Sequence, residues 1–246
     1  MEGISLGWNC SAAQDGSRLN LRKTKQNGYK TCPFDMMITN YIGLCECIDE
    51  DFKDFFNPDY LILKDCPDMT NYIPNQKTDE KWIYNTKYKF FFNHESPFHG
   101  NLYLNERWSS PYHFVENNYE KFIERYKNRI ENFRKYLKNT DGINFIMYRY
   151  NSLPTELVTI LKNRYPSLKF KINLIYDFGI HNIGFLHETN DNFAKQYEKY
   201  YLECLGLNYI DYEDEFLRYD RPLLKESDII YDEIVLINPK NNLDLK

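Results

Sequence analysis

Residues 143–176 read INFIMYRYNSLPTELVTILKNRYPSLKFKINLIY, and this stretch decides the fold. Ile143–Arg149 is an apolar and aromatic run of strand length. Pro154–Arg164 follows as a helix, with Pro154 near the first turn, where its missing N–H costs nothing. Leu168–Tyr176 is a second strand. Strand–helix–strand of this length predicts parallel strands joined by a helical crossover. Downstream, a helix near Asp191–Leu205 and strands near Asn208–Tyr212 and Ile229–Leu236 continue the alternation.

Upstream, residues 4–7 (Ile-Ser-Leu-Gly) read as a short buried strand and Ser11–Arg22 as a helix. Cys32–Asp35 is expected to be extended, because Pro33 biases its predecessor away from the helical region. From Met36 to Phe56 apolar residues recur at 38, 41, 42, 45, 48 and 52, which predicts one helix or two short ones. Residues 57–86 carry Pro58, Pro67 and Pro74 and read as loop. Tyr88–Asn93 is a strand ending at His94, and residues 95–113 look irregular. Glu116–Lys138 is the clearest helix, since Tyr119, Phe122, Ile123, Tyr126, Ile130, Phe133 and Leu137 keep a 3.6-residue period. Its other face, with Arg125, Arg129, Arg134, Lys135 and Lys138, reads as solvated. No repeat and no linker divides the chain. The expectation is one α/β domain over residues 1–246, with a mainly parallel sheet and helices on both faces in Rossmann-like layers. Ile4–Leu6, Ile143–Tyr148 and Phe170–Ile175 should be neighbouring or near-neighbouring strands. The alternative is a papain-like α+β fold.

Composition narrows the function. The 246 residues include 22 Tyr and 17 Phe, which argues against wholesale disorder. A net charge of −5 speaks against non-specific nucleic-acid binding. No apolar run approaches the ~18 residues of a membrane span, and the first residues lack the pattern of a signal peptide. A cytoplasmic location is expected, the host cytoplasm if the source is viral. Cys10, Cys32, Cys45, Cys47, Cys66 and Cys204 should then be reduced thiols.

Several tempting motifs fail on geometry. His94-Glu95-x-x-x-His99 puts its second His at i+5, and Pro97 breaks any helix that would align the pair. Cys45 and Cys47, two apart on a helix, diverge too far to grip one ion. Asp177-Phe-Gly179 has no kinase context around it. Neither a P-loop nor a dinucleotide fingerprint is present. No metal and no cofactor is expected; His94, His99 and His113 would be the first suspects if zinc were found.

Cys10 is different. It follows a short glycine-ended strand and opens a candidate helix, where N-terminal N–H groups would favour a thiolate, the nucleophile of acyl transfer. Such a thiol should alkylate at pH 6 ahead of the other five. Arg149 and Asp177 end apolar strands at the carboxyl edge of the expected sheet, where ligands bind in open α/β folds. With Trp8 and Asn9 beside Cys10, they are the candidate substrate-binding residues. His181 and His187 follow Asp177.

Ser5-Leu-Gly-Trp-Asn-Cys10, Pro33-Phe-Asp35-Met-Met, Asp51-Phe-Lys-Asp-Phe55 and Phe92-Asn-His94 together resemble a family described as papain-like cysteine peptidases, found in bacteria and large DNA viruses. The resemblance extends to the helix Tyr119–Leu137 and the strand ending Phe145-Ile-Met-Tyr-Arg149, so it spans roughly residues 4–150. Met36 stands where the family usually has Trp, and Glu95 where it usually has Asp. The resemblance implies Cys10 as nucleophile and His94 as general base. For the group that orients the imidazole, Asp35 is preferred, with Asn101 and Asn105 as rivals. The chemistry so implied is a cysteine hydrolase or acyltransferase acting on a peptide, isopeptide or ester bond. The competing readings are a glycan- or nucleotide-sugar-processing α/β enzyme, with Arg149 and the basic helix holding an anionic group, and a non-catalytic binding module on the same fold.

Overall fold

A computed structural model describes residues 1–7, 10–39, 41–65, 81–96, 112–138, 141–148, 153–175 and 232–237. The chain is of mixed α/β class and carries two sheets. The first has four parallel strands in the order β1 (Glu2–Ser5), β5 (Ile143–Tyr148), β6 (Phe170–Ile175), β7 (Ile234–Ile237). The second is antiparallel, with β2 (Leu61–Asp65), β3 (Lys81–Asn85) and β4 (Phe90–Phe92) in sequence order. The helices are α1 (Cys10–Arg18), α2 (Tyr41–Asp49), α3 (Glu116–Leu137) and α4 (Thr155–Arg164).

The parallel sheet follows from the residues quoted first. β5 and β6 alternate across two buried faces, and the register aligns Ile4, Phe145, Ile172 and Ile234 in one row. That row faces the main core with Phe133 of α3 and Leu157, Val158 and Leu161 of α4. Ile146 and Ile175 face the other way and pack with Ala12 of α1. The expected neighbours β1, β5 and β6 pair as read.

The antiparallel sheet departs from the expectation. Residues 57–86, read as loop because of three prolines, contain both β2 and β3, and Leu61–Asp65 pairs with Lys81–Asn85 in full register. Each strand is five residues long; the prolines flank or fall between them. Phe90 and Phe92 carry this sheet into the same core, with Phe55 and Tyr126 around them. Phe92 meets Phe122 edge-on at 4.6 Å between ring centroids, a favoured aromatic geometry.

Two local readings are also corrected. Cys32 is extended (φ −98, ψ 165), as its position before proline requires, but Pro33–Met36 forms a 3₁₀ turn rather than continuing the strand. α3 becomes regular only beyond Tyr119, because Asn117, Asn118 and Tyr119 have φ of 50, 54 and 65. α2 lies so close to the β3–β4 turn that a Cβ on Gly43 would collide with the carbonyl of Tyr88. The proposed helix at Asp191–Leu205 and the strand at Asn208–Tyr212 lie outside the described residues.

Candidate functional site

Cys10 is the first residue of α1 and is half-buried. β1 delivers it: Leu6 donates its N–H to Ile146 O at 2.8 Å. Gly7 then turns the chain at φ +87, a conformation side-chain-bearing residues resist. The Gly7 N–H donates to Ser5 Oγ at 3.2 Å, closing the turn. Burial pushes the Cys10 thiol above its ordinary value and outweighs the backbone hydrogen bond that lowers it. The expectation of a resting thiolate is therefore corrected. A helix N-terminus gives part of a charge to a thiolate, and here the loss of water costs more.

Asp35 lies in the 3₁₀ turn and is only 2% exposed. Its Oδ1 accepts from Arg22 Nη1 at 2.7 Å and from the Tyr29 hydroxyl at 3.1 Å. Its Oδ2 accepts from the same hydroxyl at 2.9 Å and from the Cys32 N–H at 2.8 Å. Arg22 also lies over the Tyr29 ring, 4.2 Å from its centroid. Burial raises the Asp35 carboxyl above the usual carboxylate range, opposed by Arg22, the Cys32 amide, Tyr29 and Arg129.

His94 leaves the antiparallel sheet two residues after β4 and is buried. The Glu95 N–H donates to Phe92 O at 3.0 Å, and Ser96 Oγ donates to Asn93 O at 3.1 Å, so the turn holding His94 is tied on both sides. The Glu95 side chain is fully buried and receives two arginines of α3, Arg125 Nη1 at 3.0 Å and Arg129 Nη1 at 3.1 Å. The arginines are covered in turn by aromatic faces: Arg125 lies 4.4 Å from the Phe114 centroid and Arg129 4.5 Å from that of Tyr126. The solvated reading of this helix face fails for these two. Arg134 pairs with Asp51 at 3.0 Å, half-exposed, and Lys135 is exposed.

A short strap links the two candidates. Ile38 bridges Phe91 of β4. Next to it, Thr39 Oγ1 donates to Leu6 O at 3.5 Å, and its side chain lies against Gly7. Cys10 follows Gly7 by three residues and His94 follows Phe91 by three, so the strap joins the two segments that lead to them. Among the described residues, no hydrogen bond joins Cys10 to His94, or His94 to Asp35.

Trp8, Asn9, Arg149 and Asp177, with the rival Asn101 and Asn105 and with His99, His181 and His187, lie outside the described residues. Cys45 and Cys47 are buried on α2 and Cys32 is buried in its loop, all three as thiols outside any disulfide. Among the described residues no group of three or more His, Cys, Asp or Glu could hold a metal ion, and no helix is long and apolar enough to cross a membrane. The feature that sequence reasoning missed is the buried carboxylate Glu95 with Arg125 and Arg129. The available signal was the i, i+4 spacing of the two arginines, which places both on one side of α3.

Residues 2–182 match the model of a family described as "Putative papain-like cysteine peptidase (DUF1796)". The chain belongs to that family. No curated protein and no solved structure matches it.

Proposed function

We propose that this protein is a cysteine hydrolase or acyltransferase in which Cys10 is the nucleophile and His94 the general base, acting on an acyl bond of the peptide, isopeptide or ester type. The observation that carries the reading is the strap: Ile38 and Thr39 tie the end of β1, which leads to Cys10, to β4, which leads to His94. Membership of the peptidase family supports it.

Because burial raises the Cys10 thiol, the reading needs a general base rather than a standing thiolate. As Sγ attacks the acyl carbon, its proton passes to the His94 imidazole. The imidazolium then protonates the leaving group, whose bond to the acyl carbon breaks, and an acyl thioester remains on Cys10. Water, or a second nucleophile in a transferase, attacks the thioester carbonyl and gives its proton to His94; the acyl C–S bond breaks, the acyl product leaves, and the imidazolium returns the proton to Cys10 Sγ. Asp35 enters as a positioning group for the strap, with its oxygens held by Arg22, Tyr29 and Cys32.

The test is single-turnover acylation by p-nitrophenyl acetate, with the labelled residue found by mass spectrometry. Cys10 should acylate well ahead of the other cysteines, and His94→Ala should slow it by about 10²-fold or more, the usual share of a general base. Equal labelling of all cysteines, or no effect of His94→Ala in a folded protein, would overturn the reading.

A further inference from the structure

The end of the antiparallel sheet that leads into His94 holds two polar atoms with nothing to bond. Trp82 Nε1, a donor, and Asn93 Oδ1, an acceptor, are both shut off from solvent, and neither has a hydrogen-bond partner among the described residues. The two residues flank one cross-strand pair: register pairs Ile83 with Phe92, Trp82 precedes Ile83 in β3, and Asn93 follows Phe92 into the turn after β4. Trp82 and Tyr84 share a sheet face by alternation, and their rings contact Phe91 at centroid distances of 6.0 and 4.4 Å.

The other end of the same hairpin shows what this fold does with an amide it keeps for itself. Asn85 donates to Asp54 O at 3.1 Å and Phe55 O at 3.4 Å, and accepts from Lys87 N at 3.0 Å and Tyr88 N at 2.9 Å. Buried polar groups are almost always satisfied in this way. An orphan donor and an orphan acceptor flanking one cross-strand pair complement a group that brings a carbonyl oxygen and an N–H together. A trans secondary amide points the two in opposite directions, so it can lie between such residues and satisfy both.

We propose that Trp82 and Asn93 form a subsite for a peptide group, with Trp82 Nε1 donating to its carbonyl oxygen and Asn93 Oδ1 accepting from its N–H. The subsite rests on the reading above for its place beside His94, and it selects a peptide over an ester, which has no N–H to offer Asn93. Both residues keep part of their surface exposed while the two polar atoms are covered, so binding requires the Asn93 amide to rotate.

The chain has three tryptophans, so ¹H–¹⁵N spectra contain three indole signals. Trp82 is assigned by Trp82→Phe, or by elimination with Trp8→Phe and Trp108→Phe. The probes are N-methylacetamide and methyl acetate, which share the carbonyl and differ in the N–H. The Trp82 signal should move saturably with the amide and more weakly with the ester. Asn93→Ala should weaken amide binding about tenfold, the worth of one hydrogen bond, and leave ester binding unchanged. A Trp82 signal unmoved by both probes, or equal binding of the two, would overturn the subsite. So would an Asn93→Ala shift of that signal in the free protein, since the two side chains would then be bonding each other. If Asn93→Ala does not fold, the amide-against-ester comparison in the unmodified protein still decides. Cys10→Ala should leave the titration intact. A failed titration with normal Cys10 acylation removes the subsite alone, and failed acylation with an intact titration removes the thiol chemistry alone.

Discussion

Ile38 and Phe91 exchange both of their backbone hydrogen bonds, at 2.8 and 3.0 Å, and so fix the spacing between the parallel and antiparallel parts of the protein. The residue after Ile38 packs on Gly7. A Cβ at position 7 would lie 2.6 Å from Thr39 Oγ1 and 2.8 Å from Thr39 Cγ2, on a backbone with φ +87. Gly7→Ala should therefore destabilise the protein by about 1–3 kcal/mol, from clash and left-handed strain together. Adding Thr39→Ala removes the two closest contacts and leaves the strain, so the double variant should recover part of the loss in urea unfolding. No recovery would mean that the two residues do not share the strap.

Glu95 offers a second test. Its fully buried carboxylate receives both Arg125 and Arg129. Removing one partner of a buried ion pair leaves an uncompensated charge and costs about 3–5 kcal/mol. Glu95→Gln should fall in that range, and Glu95→Asp should lose less because the charge remains. Denaturant midpoints measure both. A Gln variant as stable as the parent would show that the arginines are held by other means.

The pH dependence of stability carries a signature of Asp35. Its carboxyl is raised by burial, so between the ordinary Asp value of about 3.9 and its raised value the native state holds a proton that the unfolded chain has released. This term therefore favours folding at low pH and is lost as pH rises through the window. Comparison with Asp35→Asn isolates it: the advantage of the parent over the variant should grow as pH falls through that window. An advantage that shrinks on acidification would mean that Arg22 and the Cys32 amide dominate over burial.

How much of this was legible in the sequence depended on whether the signal was local. β5, α4 and β6 were readable because each carries its own periodicity and turn residues, and buried parallel strands are continuous apolar runs. β2 and β3 were not, because two five-residue strands among prolines gain their identity only by pairing with each other. Cys10 and His94 could be named from motif, yet the strap between them could not, since Ile38 and Phe91 are 53 positions apart in the chain. Arg125 and Arg129 misled for a related reason. A charged helix face reads as solvated unless the carboxylate that covers it is known, and Glu95 arrives from the turn after β4.

The thiol itself gives the last prediction. Cys10 is half-buried, and burial raises it, while Cys32 and Cys47 are buried and raised further by the same cause. Iodoacetamide reacts with the thiolate, so the rate at Cys10 should climb with pH to a midpoint above the ~8.5 of a free thiol. Cys32 and Cys47 should react later and more slowly, because they lack access as well as charge. At pH 6 Cys10 should be close to inert toward iodoacetamide, while acylation of the same residue by an activated ester still depends on His94. That pairing separates a thiol activated by its base during the reaction from one that rests as a thiolate. An alkylation profile already at its plateau at pH 6 would show a standing thiolate–imidazolium pair, and the mechanism would have to begin from that ion pair instead.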